Sequence, residues 1–191
     1  SVQRKTSAAF ELPGLNLLGP WDLRTFMGLL EDDRTISRPL LFGMRLTFCP
    51  LQNLEIGLSR TALWAGEDEP HDLDTFGDVL VGKTNVGEQD TTADQMAGYD
   101  FRWQSPLVGD LPYALYGQLI GEDEAGGFPS KHIGQLGIET FGSMPLGSGS
   151  YRLYLEASDT RAIFYKDDPQ YNTAYNHSRY QSGNRYRGLS L

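Results

Sequence analysis

Cysteine is almost missing from this chain. One residue, Cys49, stands among 191, so no internal disulfide can form. No partner at metal-ligand spacing accompanies it, and it reads as a small apolar filler. Positive charge is also scarce: 16 Lys and Arg face 25 Asp and Glu, a formal net charge of -9. That balance excludes a surface built for general nucleic-acid binding. No run approaches the roughly 18 apolar residues of a membrane helix. This absence leaves a transmembrane barrel open, because barrel strands need only about ten residues with alternate positions apolar. Convincing amphipathic helices are absent as well. The chain opens on Ser1-Val2-Gln3-Arg4-Lys5 without methionine or an apolar leader and stops at Arg187-Gly188-Leu189-Ser190-Leu191. It is therefore expected to be a processed or truncated piece, although 191 residues suffice for one sizeable core.

What the chain does hold is a period of two. Runs alternating apolar and polar residues, separated by Gly, Pro, Asn and Asp clusters, predict strands near 21–30, 40–48, 54–64, 97–104, 113–121, 132–141 and 151–158, with an eighth near 174–180. Residues 1–20, with Pro13, Gly14 and Pro20, read as an irregular stretch, and 21–191 as the structured unit. Connections alternate strictly. Those at 49–53, 105–112 and 142–150 are short and weakly charged, whereas those at 31–39, 65–96, 122–131 and 159–173 are longer and carry charge. Greek-key sandwiches mix loop lengths at both ends. An outer-membrane barrel has short periplasmic turns and long external loops.

Counting in twos separates two faces. One gathers Phe42, Met44, Leu46 and Phe48 with Leu54, Ile56, Leu58, Tyr99, Phe101, Leu115, Leu119, Leu136, Ile138, Leu153 and Leu155. The other gathers Arg45, Glu55, Asp100, Arg102, Gln118, Glu139, Arg152 and Glu156, with Tyr116, Gln135 and Tyr154 between them. Trp21, Phe48, Trp103, Tyr113 and Tyr151 all fall on the apolar side at the strand end beside a short turn. Such a ring suits a membrane interface, where an aromatic meets both acyl chains and head groups. The expected fold is all-β, an antiparallel transmembrane β-barrel whose oily face meets lipid and whose mixed-charge face forms a self-paired lumen network. Open edges in lipid leave backbone groups unpaired at several kcal/mol each, roughly. Seven or eight strands are therefore expected to be part of a larger wall.

Most acids lie in the long loops: Glu31, Asp32 and Asp33, the run from Glu67 through Asp94, and Glu122, Asp123 and Glu124. They read either as a solvated surface or as carboxylates that divalent cations bridge to anionic polymer; hard cations favour oxygen, but no EF-hand spacing is present. The tail "YNHSRYQSGNRYRG" is the reverse, setting Arg179, Arg185 and Arg187 among Tyr180 and Tyr186 with no acid. Guanidinium forks grip uronate carboxylates, and tyrosine offers a sugar a flat face and a hydroxyl. The competing reading pairs these arginines with neighbouring acids. Glu122 with Glu124, or Glu139 with Glu156, could serve as acid and base on a glycosidic bond, but a chain this acidic yields such pairs by chance. Gly147-Ser148-Gly149-Ser150 lacks the strand-to-helix setting of a nucleophile elbow and reads as a turn. His71, His132 and His177 show no metal spacing, so no catalytic residue, metal or cofactor is assigned.

The blocks "GPWDLRTFMGLLEDDR", "LLFGMRLTFCPLQNLEIGLSRTALWAG", "DFRWQSP", "PYALYGQLIGEDEAGGFPSKHIGQLGIE", "GSYRLYLEASDT" and "RYRG" resemble the capsule assembly protein family named Wzi, from about residue 18 onward. The resemblance implies a partial segment of an outer-membrane barrel of eighteen strands. It also implies a non-catalytic surface lectin that holds capsular or related polysaccharide on the bacterial cell. The partners it implies are an anionic surface polysaccharide and outer-membrane lipids, with no nucleic acid. A porin or polysaccharide export channel using the polar lumen is the alternative, and a carboxylate glycoside hydrolase the third.

Overall fold

A computed structural model of the chain describes residues 2–3, 8–81, 93–105, 112–121, 123–125, 128–144 and 148–163. The alternating runs form the strands β2 (Trp21–Leu29), β3 (Leu40–Leu51), β4 (Leu54–Trp64), β5 (Ala93–Gln104), β6 (Tyr113–Gly121), β9 (His132–Ser143) and β10 (Ser150–Ile163). A two-residue strand β1 (Val2–Gln3) borders β2, and the pair β7 (Asp123–Ala125) and β8 (Phe128–Ser130) makes a separate ribbon between β6 and β9. The main sheet is an antiparallel meander in the order β1-β2-β3-β4-β5-β6-β9-β10. Chain neighbours pair throughout, apart from the excursion through the ribbon.

The structure departs from the pattern expected of the sequence in several places. The stretch to residue 20 is not irregular throughout: Val2 and Gln3 pair with Thr25 and Arg24, a 3-10 turn spans Leu15–Leu18, and Phe10 stacks on Trp21 at 4.7 Å between ring centroids. Strand β5 begins four residues before the predicted start, at Ala93, and β10 extends to Ile163. The expectation of no helix fails at α1 (Leu73–Val81), which sits in the long connection from β4 to β5. The predicted eighth strand near 174–180 lies outside the described residues.

The ladder register carries the strand tilt. Following partners across the sheet from Trp21 leads through Phe48, Ile56, Phe101, Gly117 and Leu136 to Ala157. Trp21 opens its strand, whereas Ala157 stands six residues past Tyr151 at the same end of β10. Six strand steps have accumulated a six-residue shift, so the stagger averages one residue per strand. With a rise near 3.4 Å and a spacing near 4.8 Å, that stagger corresponds to a tilt of about 35°. Such a tilt belongs to barrels. The same drift is two residues at Trp103 and four at Tyr113. A drift that grows with each strand in this way is what five aromatics on one level ring require, and heights along the wall are counted from that ring.

Opposed partners point to one side of a sheet, so the ladder also fixes the faces. On the apolar side Leu153 is 64% and Leu155 74% exposed, and Leu58, Leu136 and Ile138 are exposed too. Among the described residues nothing covers them. Near the long-loop end of β3 to β5 that face is instead covered by α1. There Phe42, Ala62, Trp64, Val79 and Ala93 form a buried cluster, with Phe76 edge-on to Phe42 at 5.4 Å and tilted against Trp64 at 5.1 Å.

Candidate functional site

The polar face holds a hollow of about 560 Å³, lined by Arg45, Glu55, Asp100, Arg102, Tyr116, Gln118, Gln135, Arg152, Tyr154 and Glu156. Seven of the eight residues expected of the lumen network line it directly. The eighth, Glu139, lies beneath at 1% exposure and joins it through two arginines. These residues come from six strands, β3 to β6, β9 and β10. All lie within five residues of the aromatic ring along their own strands. Strand alternation alone aims them inward together.

Three clusters partition the charge. Arg45 donates a fork to Asp100, with Nη1 to Oδ2 at 2.5 Å and Nη2 to Oδ1 at 2.8 Å; it also donates to the Ser59 hydroxyl at 3.0 Å and stands 4.0 Å from Glu55. The fork needs a floor without a side chain, and Gly57 supplies it. A Cβ there would stand 2.5 Å from both Arg45 Nη2 and Asp100 Oδ2. Glu139 is clamped from both sides: Arg102 donates to Oε1, and Arg152 Nε donates to Oε2 at 2.7 Å. Tyr116 donates its hydroxyl to Glu156 Oε1 at 2.7 Å while its ring lies over Gly137, where a Cβ would collide with the ring itself.

The hollow is therefore an array of engaged charges of mixed sign. Arg45, Arg102 and Arg152 oppose Glu55, Asp100, Glu139 and Glu156, leaving one formal negative charge. A guanidinium fork on a carboxylate is among the stronger polar contacts. Two half-exposed arginines sharing one buried carboxylate keep hydration on their outer side. The alternation alone sets Glu139 and Glu156 beside Arg102 and Arg152 as a salt-bridged lumen; in the structure both arginines go to Glu139, and Tyr116 donates to Glu156. The Ser59 and Gly57 contributions were missed, because only the register of β3, β4 and β5 brings them beside Arg45.

The long loops are organised too. Arg34 donates to Glu31 at 2.8 Å, and Arg38 lies 3.4 Å from Asp32. The Glu31 carboxyl is held below the usual carboxylate range, first by a backbone hydrogen bond and then by Arg34. The Glu67 amide donates to the Ser37 carbonyl at 2.9 Å, joining the first loop to the second. Asp72 caps α1 by accepting the Thr75 amide at 2.7 Å, and that bond lowers its pKa. Among the described residues no group of three or more His, Cys, Asp and Glu is placed to hold a metal ion. The tail candidates Arg179, Tyr180, Arg185, Tyr186 and Arg187 lie outside the described residues.

Comparison with known proteins extends this picture. The family model described as capsule assembly protein Wzi matches residues 1–191. An uncharacterized 55.8 kDa protein in the cps region of Klebsiella pneumoniae is 36% identical over 161 residues, which is 84% of this chain and 31% of that protein. The solved structure of Wzi from Escherichia coli aligns with a TM-score of 0.74 at 33% identity, covering 94% of this chain and 36% of that one. That protein is described as an outer membrane protein involved in Group 1 capsule assembly and as a carbohydrate-binding β-barrel. The present chain spans about a third of the length of either relative, and its sheet is a partial segment of the larger barrel.

Proposed function

Because the chain belongs to the capsule assembly protein Wzi family, we propose that it forms part of an outer-membrane barrel wall that binds surface polysaccharide and supports capsule attachment without catalysis. The observation that carries this reading is the two-sided sheet: bare leucines outside, a charged hollow inside, and a tilt of about 35° between them. In water the apolar face would be a large uncovered patch. In a bilayer it is the expected surface.

Support for binding over bond cleavage comes from the carboxylates. A glycosidase needs one carboxyl free to donate a proton and another free to attack or to activate water. Glu139 is buried between two arginines and Glu156 accepts from Tyr116. Both are engaged. The lumen network is thus read as structural, and retention of polymer is assigned to the tail residues Arg179, Tyr180, Arg185, Tyr186 and Arg187, gripping carboxylates and stacking on sugar rings. Each contact is weak, and a long polymer engages many at once. Divalent cations that bridge loop acids to the anionic polymer are part of the proposal; Glu31 and Asp32 already face arginines, which leaves that task to the remaining loop acids.

The test is made in cells of the source bacterium. Deleting the full-length gene should lower cell-bound capsular polymer and raise the shed fraction; an unchanged ratio would count against the capsule role. Replacing Arg185 and Arg187 together with alanine should weaken binding of purified full-length protein to uronate-containing polymer by about tenfold, the loss of roughly 1.4 kcal/mol. Heat-modifiable mobility should stay native. Equal affinity in the double variant would remove the tail patch from the mechanism.

A further inference from the structure

Helix α1 is mounted on the outside of the wall. The register places Arg60 on the apolar side, between Met44 on one neighbour and Ala97 on the other. A guanidinium there would meet hydrocarbon. Instead Arg60 Nη2 donates to the Val79 carbonyl of α1 at 2.9 Å and contacts the Gln95 side-chain oxygen. Val79 is 0% exposed beneath the helix, so the contact is packed as well as polar.

The height of this contact follows from the tilt. Each strand residue climbs about 2.8 Å along the barrel axis at 35°. Phe42 and Arg60 stand six residues from Phe48 and Leu54 at the aromatic ring, and Trp64 stands ten from Leu54. The helix therefore covers the wall from about 17 to 28 Å above the ring, astride the outer limit of an apolar band about 25 Å tall. Its own stripe is Leu73, Phe76 and Leu80, spaced three and four residues apart on one face. Phe76 and Leu80 pack on the wall cluster, but Leu73 continues the stripe beyond it at 86% exposure. Asp74 and Asp78 occupy the opposite, exposed face.

We propose that α1 is an interfacial helix that substitutes for lipid against β3, β4 and β5, shields Arg60 from hydrocarbon, and inserts Leu73 among outer-leaflet lipids. The occupant of its uncovered stripe is lipid because Met27 and Leu29, six and eight residues past Trp21 on the same face, keep the neighbouring wall exposed and apolar at that height. This inference rests on the membrane reading above, and its test separates the two.

Full-length protein with its other cysteines replaced, including Cys49→Ser, is labelled with an environment-sensitive fluorophore at Leu73→Cys, Asp78→Cys or Leu155→Cys and reconstituted in phospholipid vesicles. Quenching by shallow nitroxide lipids is compared with quenching by aqueous iodide. The label at position 73 should be quenched by nitroxide lipid at least twofold more than that at 78, and the order should reverse with iodide. Equal iodide quenching at 73 and 78 overturns the proposal in favour of a helix in water. Protection of 73 from both quenchers overturns it in favour of a protein cover. If the label at 155 escapes nitroxide lipid, the wall itself is not in lipid and the underlying reading fails with it. Adding Arg60→Ala should reduce lipid quenching at 73 and leave 155 unchanged; no change at 73 would remove Arg60 as the tether.

Discussion

At the scale of single residues, Glu139 is the least replaceable group on the inner face. Its carboxylate is buried while both of its arginines keep water. Glu139→Ala would leave Arg102 and Arg152 facing each other across an apolar gap. The expected cost is about 1 kcal/mol, the loss of charged hydrogen bonds discounted for the solvent that both arginines reach. Breaking a fully buried ion pair costs more, but here the arginines can turn to solvent. A lower urea midpoint for the full-length protein in micelles would show the loss, and a midpoint within error of the parent would contradict it. Glu139→Gln should recover part of it, since an amide oxygen can still accept from one guanidinium. Alternation put Arg45, Asp100, Arg102, Glu139 and Arg152 on one side, because strand parity needs no partner information. Which arginine meets which acid depends on the stagger of neighbouring strands, and stagger is set by pairing across the sheet. Gly57 and Gly137 carried no visible signal either, since their use lies in what lies over them.

At the scale of elements, strands were legible because their period is short and repeated, whereas α1 was not. Its nine residues complete only two and a half turns, inside a segment whose acids suggest a solvated loop. The tertiary cover over Arg60, Phe42 and Trp64 stabilises it more than its own propensity does. Its start nevertheless rests on Asp72, which accepts the Thr75 amide. The folded carboxyl titrates below its ordinary range, chiefly through that backbone hydrogen bond. A depressed acid contributes its stabilisation fully above its unfolded pKa and loses it as pH falls through the folded value. Hydrogen-exchange protection of the 73–81 amides should therefore decline only on acidification below the ordinary carboxylate range. Asp72→Asn, which still caps, should make that protection independent of pH. Asp72→Ala should lower it at every pH. A protected, acid-sensitive helix in the Asn variant would point to another titrating group.

At the scale of the whole molecule, the register and the exposed leucines make one claim from two directions: the tilt is a barrel's, and the surface outside it is a bilayer's. Leu155 tests the pair. It stands four residues from Tyr151 on β10, about 11 Å above the aromatic ring at 2.8 Å per residue, near the middle of a band about 25 Å tall. At 74% exposure it contacts little of the described chain, so in water an arginine on that outward face would change stability by no more than about 0.5 kcal/mol. In hydrocarbon the same change costs about 2–4 kcal/mol. Its strand neighbour Tyr154 is 66% exposed on the polar side, and Tyr154→Arg should be tolerated in either setting. The comparison therefore isolates the solvent of one face from any effect of strand β10. Refolding of full-length Leu155→Arg and Tyr154→Arg into bilayers, followed by urea titration, should give a lower midpoint for the first alone. Matching midpoints would mean that the leucine face is covered by protein or wetted by water, and the barrel wall would have to be turned the other way.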